Sequence, residues 1–144
     1  MRVLLDVNIY LSYLLTPHAD SAISTVVEAG VLGEYVMLLP EALWEELVSV
    51  VSRKPYLRQH IKPEQLQTLY DLLAPWAERT PEIDVPIPRV VRDPKDDYLL
   101  AHALLDAADF LVTGDADLLA LDPVGPLRIL SPADFADILR KAGG

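Results

Sequence analysis

The chain has 144 residues, of which 51% are hydrophobic, and it contains no cysteine. This composition is typical of a folded domain with its own core and excludes a disordered chain, disulfides, thiolate zinc sites and cysteine nucleophiles. The formal net charge of −10 disfavours non-specific binding to nucleic acid, because that affinity rests on neutralising phosphates.

The sequence also bears on domain number and location. No apolar stretch approaches the ~18 residues that a transmembrane helix needs, and the N-terminus passes directly into an apolar strand without the features of a signal peptide. No internal repeat or low-complexity segment divides the chain. We therefore expect a single domain over residues 1–144, located in the cytoplasm.

Strands and helices alternate along the predicted chain. Continuous apolar runs predict the strands, and amphipathic segments bounded by caps, glycines or prolines predict the helices. In chain order the first elements are a strand at 2–6, a helix at 8–15, and a second helix that begins at Asp20 or Ser21, runs to Ala29 and is ended by Gly30. A strand at 35–40, helices at 40–53 and 62–74, and a short strand within 83–91 follow. The last are a helix at 96–108, strands at 110–113 and 127–130, and a C-terminal helix capped by Ser131. This alternation predicts an α/β fold, a three-layer α/β/α sandwich with a mainly parallel sheet of about five strands.

Four acidic residues follow predicted strands or lie on the helices after them. They are Asp6, Glu46, Asp97 and Asp115. Ligands of such sheets bind beyond the carboxyl ends of the strands, so these acids are expected to converge on one crevice. Converged carboxylates repel each other unless a hard cation such as Mg²⁺ or Mn²⁺ neutralises them. The pattern predicts a metal-dependent enzyme that acts on phosphate.

Each acid also has a structural alternative. Asp6 follows a strand, where an aspartate is often a helix cap. Glu46 borders the apolar stripe that contains Leu43, and its alternative role is a salt bridge to a basic side chain. By the same helical angle Glu41 and Glu45 point to solvent.

The third acid cannot be chosen from periodicity. Asp96 precedes Leu100 by four residues and Asp97 precedes it by three, so both positions could face inward. Both also lie at a helix N-terminus, where an acid is favoured as a cap and by the macrodipole.

The fourth acid lies in a turn after an apolar strand. Asp115 and Asp117 are two residues apart, Gly114 permits a tight turn, and Thr113 brings a hydroxyl to the same edge. This arrangement suits metal or water positioning, and the alternative is a turn with solvated aspartates.

The cations are unevenly distributed despite the acidic net charge. One segment runs from Arg53 to Lys62 and contains a tyrosine, a histidine and no acid; its cations are Arg53, Lys54, Arg58 and Lys62. A second stretch carries Arg89, Arg92 and Lys95 just before Asp97. Both segments flank proposed active-site acids, and the alternative is that they are two solvated loops. The first segment, with Arg53, Lys54, Arg58 and Lys62, is the candidate for contacts to the phosphates of a substrate.

Taken in order, these motifs resemble those of PIN-domain ribonucleases, of the kind that form the toxin half of a toxin–antitoxin pair (VapC-like). The resemblance covers nearly the whole chain. It is carried by residues 3–8 (VLLDVN), 43–47 (LWEEL), 92–101 (RDPKDDYLLA), 108–119 (ADFLVTGDADLL) and 131–135 (SPADF).

The resemblance implies roles for single residues. It makes Asp6, Glu46, Asp97 and Asp115 the catalytic and metal-holding acids, and it favours Asp97 over Asp96 because the family's third acid lies 18 residues before its fourth. The implied supporting residues are Asn8, Asp96, Thr113 and Asp117. The resemblance also implies Mg²⁺ or Mn²⁺ as cofactor, an RNA substrate, a cognate antitoxin and a homodimer.

Two alternatives remain at this stage. One is a non-catalytic RNA- or antitoxin-binding module of the same fold, in which the acids form a cation-binding or docking surface. The other is a haloacid-dehalogenase-like phosphatase, which would require an aspartate two residues after Asp6, where this chain has Asn8. The sequence contains no GxGxxG motif and no P-loop, which argues against a dinucleotide or nucleoside triphosphate site.

Overall fold

The computed structural model describes residues 1–16 and 21–143. Its five strands are β1 (Arg2–Leu5), β2 (Val36–Pro40), β3 (Glu78–Thr80), β4 (Phe110–Val112) and β5 (Arg128–Leu130). They form one parallel sheet in the order β3-β2-β1-β4-β5. The reversal of strand order at the central strand β1 is the topological switch point at which such sheets bind ligands.

Eight helices in the described part of the chain surround this sheet. They are α1 (Val7–Leu15), α2 (Ala22–Val31), α3 (Glu41–Arg53), α4 (Pro55–His60), α5 (Pro63–Leu73), α6 (Pro94–Leu105), α7 (Ala116–Leu119) and α8 (Pro132–Gly143). The fold is the predicted three-layer α/β/α sandwich with a parallel sheet of five strands. None of the described helices combines the length and the apolar character needed to cross a bilayer.

The central strands are buried on both faces, which explains why their sequences are continuous apolar runs rather than alternating ones. Val3, Leu4 and Leu5 in β1 have no exposed surface, and neither do Met37 and Leu38 in β2. These strands therefore form the middle of the hydrophobic core and hold the sheet edge beyond them in a fixed position.

The pairing of β1 with β4 positions the residues that follow each strand. Leu5 is opposite Val112 in the parallel register. The next residues remain in the ladder, because the Asp6 amide donates to the Val112 carbonyl and the Thr113 amide donates to the Leu130 carbonyl, each at 3.0 Å. Asp6 and Thr113 therefore lie side by side at the carboxyl edge of the sheet.

The third strand differs from the prediction. It lies at Glu78–Thr80, immediately before Pro81, and not within residues 83–91. The predicted segment contains Pro86 and Pro88 and forms no strand in the structure. Proline lacks the amide hydrogen that a ladder needs, so this segment cannot add a regular strand.

Helix α2 also differs at its C-terminal end. Ser21 is its N-cap, with the Ser24 amide donating to the Ser21 hydroxyl at 3.2 Å, whereas the alternative cap Asp20 lies outside the described residues. Gly30 does not end the helix but lies inside it. A side chain there would clash with Met37 and with the Tyr35 hydroxyl, so the glycine serves close packing and not termination.

Candidate active site

A cleft of about 550 Å³ opens at the carboxyl edge of the sheet, between α3 on one side and the start of α6 on the other. Most of the predicted functional residues lie around it. Those that line it are Asp6, Asn8, Glu46, Arg53, Lys54, Asp96 and Asp115, together with Asp93, Lys95 and Tyr98. The predicted convergence of acids on one crevice is therefore observed, with one exchange at the third acid.

Asp6 is fixed at the floor of the cleft by its neighbours. The Thr113 hydroxyl donates to Asp6 Oδ2 at 2.7 Å, and the Asp115 amide donates to Thr113 Oγ1 at 3.0 Å. Thr113 is fully buried and Asp6 is 8% exposed. Burial raises the pKa of Asp6, while hydrogen bonds from Thr113 and from the backbone of α1 oppose that rise and the nearby Asp115 adds to it.

Asp115 has the geometry of a helix cap as well as a place in the cleft. Its Oδ1 accepts from the Asp117 amide at 2.8 Å and from the Leu118 amide at 3.3 Å, at the start of α7. Asp117 contributes its backbone to this cap, and its side chain is not part of the cleft lining. The capping alternative and the site hypothesis are thus compatible at Asp115.

Asp96 is the third acid of the cleft. Partial burial is the main cause that raises the pKa of its carboxyl from 3.8 to about 6, and the charges of Asp115, Asp6 and Asp93 raise it further. These charges act on Asp96 because Asp6, Asp93 and Asp115 line the same cleft. The predicted supporting residue Asp96 is therefore an integral part of the acidic cluster.

The structure places Asp97 elsewhere, and the choice of Asp97 over Asp96 is revised. Asp97 is 3% exposed and does not line the cleft. Its Oδ1 accepts from the amides of Val90 and Val91, both at 2.8 Å, and Arg89 Nε lies 3.6 Å from its Oδ2. Asp97 anchors the proline-spaced segment onto α6. The 18-residue spacing selected the member of the pair that does not line the cleft, since adjacent residues on a helix point about 100° apart.

Glu46 lies in the opposite wall of the cleft, on α3. Lys95 Nζ is 2.7 Å from Glu46 Oε1, and Arg53 Nη2 is 3.2 Å from the same oxygen. Glu45 is exposed, and Glu41 is exposed and paired with Arg79, as their helical angles predict. The salt-bridge alternative for Glu46 is therefore present in the structure together with its place in the cleft.

The predicted basic residues divide into two groups. Arg53 and Lys54 line the cleft, whereas Arg58 and Lys62 are exposed on and just after α4, away from the lining. Asn8 lines the cleft at the start of α1. Most of the predicted substrate-binding segment thus belongs to a helix that the sequence reading did not predict.

Two further cleft residues, Lys95 and Tyr98, carried no assigned role in the sequence reading. Lys95 belongs to the basic stretch before Asp97, and its ammonium reaches from α6 to Glu46 on α3. A helical projection of α6 indicates that Lys95 lies on the cleft side of the helix, because Lys95 and Asp96 lie four and three residues before Leu99, which also lines the cleft.

The donor chemistry of the cleft fits a hard divalent cation. Carboxylate oxygens are the ligands that Mg²⁺ and Mn²⁺ prefer, and neighbouring carboxylates add to burial in raising the pKa values of Asp6 and Asp96. Within the described residues, no three His, Cys, Asp or Glu side chains are already arranged to hold a metal ion. Each of three acids has an oxygen that is already engaged by the protein. Thr113 donates to Asp6, the α7 amides donate to Asp115, and both Lys95 and Arg53 contact Glu46.

Comparison with known proteins agrees with this arrangement. No curated protein matches the chain significantly. The family model described as a PIN domain matches residues 2–117, a range that contains every acid of the cleft and ends inside α7. PIN domains are generally nucleases and typically use divalent metals. The match extends over more than three quarters of the sequence, and the chain therefore belongs to the PIN domain family.

Proposed function

We propose that this protein is a divalent-metal-dependent endoribonuclease that hydrolyses RNA phosphodiester bonds. The observation that carries the proposal is the meeting of Asp6, Asp96 and Asp115 at one sheet edge, with Glu46 on the facing wall. Burial is the main cause that raises the pKa of Asp96 to about 6, and the charges of Asp115, Asp6 and Asp93 add to it. These neighbouring charges support a role beyond helix capping, because caps alone do not require that acids cluster.

The residues of the cleft divide the chemical work. Asp6, Asp96 and Asp115 would hold Mg²⁺ or Mn²⁺, with Glu46 facing them. When bound, such a cation supplies positive charge for the phosphate oxygens and a water of lowered pKa. Thr113 fixes the orientation of the Asp6 carboxylate through its 2.7 Å hydrogen bond. Lys95, Arg53 and Lys54 are the cations at the cleft that can contact an RNA phosphate.

The biological role that we propose follows from the motif resemblance. We infer that the protein is the toxin of a type II toxin–antitoxin pair, acting in the cytoplasm as a homodimer and inhibited by a cognate antitoxin protein. Expression should then arrest growth, and the product of an adjacent short reading frame should relieve the arrest. Normal growth with full ribonuclease activity would argue against the toxin role but not against the nuclease.

The test of the nuclease is cleavage of a labelled single-stranded RNA with Mn²⁺, Mg²⁺ or chelator. Wild type should cleave with either metal and not in chelator. Asp6→Asn should lose most of the activity, since it keeps the shape of the side chain and removes a charge from the buried floor of the cleft. The matched control is Asp137→Asn, an exposed aspartate on α8 that pairs with Arg140 outside the cleft.

Equal cleavage by wild type and Asp6→Asn, or cleavage that persists in chelator, would contradict the proposal. Binding of RNA without any cleavage would instead favour the non-catalytic module of the same fold.

A further inference from the structure

We propose that Tyr56 and His60 on α4 form a stacking platform for an unpaired RNA base next to the cleft. This inference rests on the proposed ribonuclease function and names a substrate contact that the acidic cluster does not supply. The occupant is a single-stranded segment of RNA whose neighbouring phosphates are at Arg53 and Lys54.

The platform is preformed in the structure. The rings of Tyr56 and His60 are stacked with centroids 4.2 Å apart and planes inclined by 28°. They lie one helical turn apart, and His60 Nδ1 is 2.8 Å from the Tyr56 carbonyl oxygen, which holds the imidazole against the helix. Because the helix itself holds the two rings together, a base that adds to the stack does not have to order them first.

The helix that carries the rings is anchored, but the rings themselves are open to solvent. Leu57 is 9% exposed and Ile61 is 1% exposed, so α4 is attached to the core through these side chains. Tyr56 is 61% exposed, and His60 is exposed as well. A single exposed aromatic ring needs no explanation, but a stacked pair on a fixed helix presents a flat surface that a nucleobase can cover.

The charge around the platform suits a polyanion. Between Glu46 and Glu64 the sequence contains no acid, and it contains four cations at Arg53, Lys54, Arg58 and Lys62 in a chain of net charge −10. These cations lie on both sides of Tyr56 and on both sides of His60 in the sequence, and Arg53 and Lys54 also line the cleft. Proteins that bind single strands combine these two features, a basic track for the backbone and aromatic rings for the bases.

The distance along the chain suits one continuous strand. Tyr56 follows Lys54 by two residues, and two residues span at most about 7 Å. A strand that enters the cleft past Lys54 therefore has an adjacent nucleotide within reach of the rings. A base paired in a duplex has no free face to offer, so the platform selects single-stranded RNA over double-stranded RNA.

The experiment measures binding separately from cleavage. A fluorescently labelled single-stranded oligoribonucleotide is titrated with protein in the Asp6→Asn background with Mg²⁺, and the duplex of the same sequence is titrated in parallel. Tyr56→Ala should weaken single-strand binding by about 5- to 150-fold, the range for loss of one base–aromatic stack. Duplex binding should remain unchanged.

Matched variants identify the cause of any loss. Tyr56→Phe keeps the ring and should bind like its parent, while His60→Ala should weaken binding as Tyr56→Ala does. Trp76→Ala removes a ring of 56% exposure that lies against Gly33 and does not line the cleft, and it should have no effect. Tyr56→Ala should leave the salt dependence unchanged, whereas Arg58→Gln should reduce the log–log salt slope by about 0.7. Thermal melts of all variants check folding.

Several results would overturn the inference. One is that Tyr56→Ala and His60→Ala bind single strands as tightly as the parent does. Others are that Tyr56→Phe loses as much affinity as Tyr56→Ala, or that Tyr56→Ala loses as much affinity for the duplex as for the single strand. The last is that the parent does not bind single strands. Cleavage is measured separately, with the ring variants in the wild-type background. Active cleavage with unaffected binding rejects the platform alone, and ring-dependent binding without cleavage rejects the nuclease alone.

Discussion

Replacing Asp97 with alanine should destabilise the protein, although this acid was expected to be catalytic. The substitution removes the carboxylate that accepts hydrogen bonds from Val90 and Val91, each at 2.8 Å. It also removes the partner of Arg89 at 3.6 Å. The segment before α6 then loses its attachment to the helix, while the carboxylates of the cleft keep their contacts.

The size of the effect follows from these contacts. A hydrogen bond to a charged group contributes about 1.5–3 kcal/mol, so the two bonds together contribute at most about 3–6 kcal/mol. Val90 is 58% exposed, so water can replace part of what its amide loses. We expect a decrease of about 2–4 kcal/mol in the free energy of unfolding, equivalent to a melting temperature lower by roughly 6–12 °C for a domain of this length.

The assay is thermal and urea unfolding in chelator, with Asp96→Asn as the matched neighbour. The pKa of Asp96 is raised to about 6 in the folded protein from 3.8. The folded state therefore retains a proton that the unfolded chain releases, and a penalty develops as pH rises from about 4 through 6. Solvent screening of this partly exposed group limits that penalty to about 1 kcal/mol.

Asp96→Asn should accordingly melt slightly above wild type at pH 8, show no such gain at pH 3.5, and lose cleavage. Asp97→Ala should melt well below wild type at pH 8 and retain cleavage in proportion to its folded fraction. The reasoning would be refuted if Asp97→Ala melted within 2 °C of wild type yet lost cleavage while Asp96→Asn remained active. That result would assign the third acid of the proposed site to Asp97.

Two further predictions concern the walls and the floor of the cleft. Glu46→Ala should abolish cleavage, whereas Glu45→Ala should retain it, because Glu45 is exposed and only Glu46 faces the cleft. Single-turnover cleavage of labelled RNA measures both variants. The reverse outcome would show that the wrong face of α3 had been chosen. Thr113→Val should cost about 1–3 kcal/mol, because it leaves a buried carboxylate oxygen of Asp6 without its donor. The hydrogen bond from Thr113 lowers the pKa of Asp6, so thermal melts should show a larger loss of stability in Thr113→Val at pH 8 than at pH 4. Equal losses of stability at the two pH values would mean that this bond does not favour the charged carboxylate.

The sequence allowed the fold and most of the cleft to be predicted because the signals involved are local. Continuous apolar runs mark parallel strands, and an acid directly after such a run must lie at the carboxyl edge of the sheet, as Asp6 and Asp115 do. Helical angle likewise separated Glu46 from Glu45. These inferences use a few adjacent residues and a known period, and the structure agrees with them.

The sequence-based predictions and the structure differ where tertiary contacts decide. Asp96 and Asp97 precede two buried leucines, Leu99 and Leu100, so the apolar pattern fits both orientations of α6. The backbone amides of Val90 and Val91 settle the choice by capturing Asp97, and no sequence period encodes them. The position of the edge strand Glu78–Thr80 similarly depends on pairing with β2 and not on its own exposed residues.

The hydrogen bond between Thr113 and Asp6 joins residues that are 107 positions apart in the chain. Loop closure over such a distance carries an entropy cost that must be met before the contact stabilises anything. The floor of the cleft consequently cannot assemble on the ribosome until β4 has emerged and paired with β1, after every other acid of the cluster except Asp115 has already been synthesised. For most of its synthesis the chain therefore lacks the assembled cleft, and a truncation before β4 would leave Asp6, Glu46 and Asp96 without the strand that aligns them.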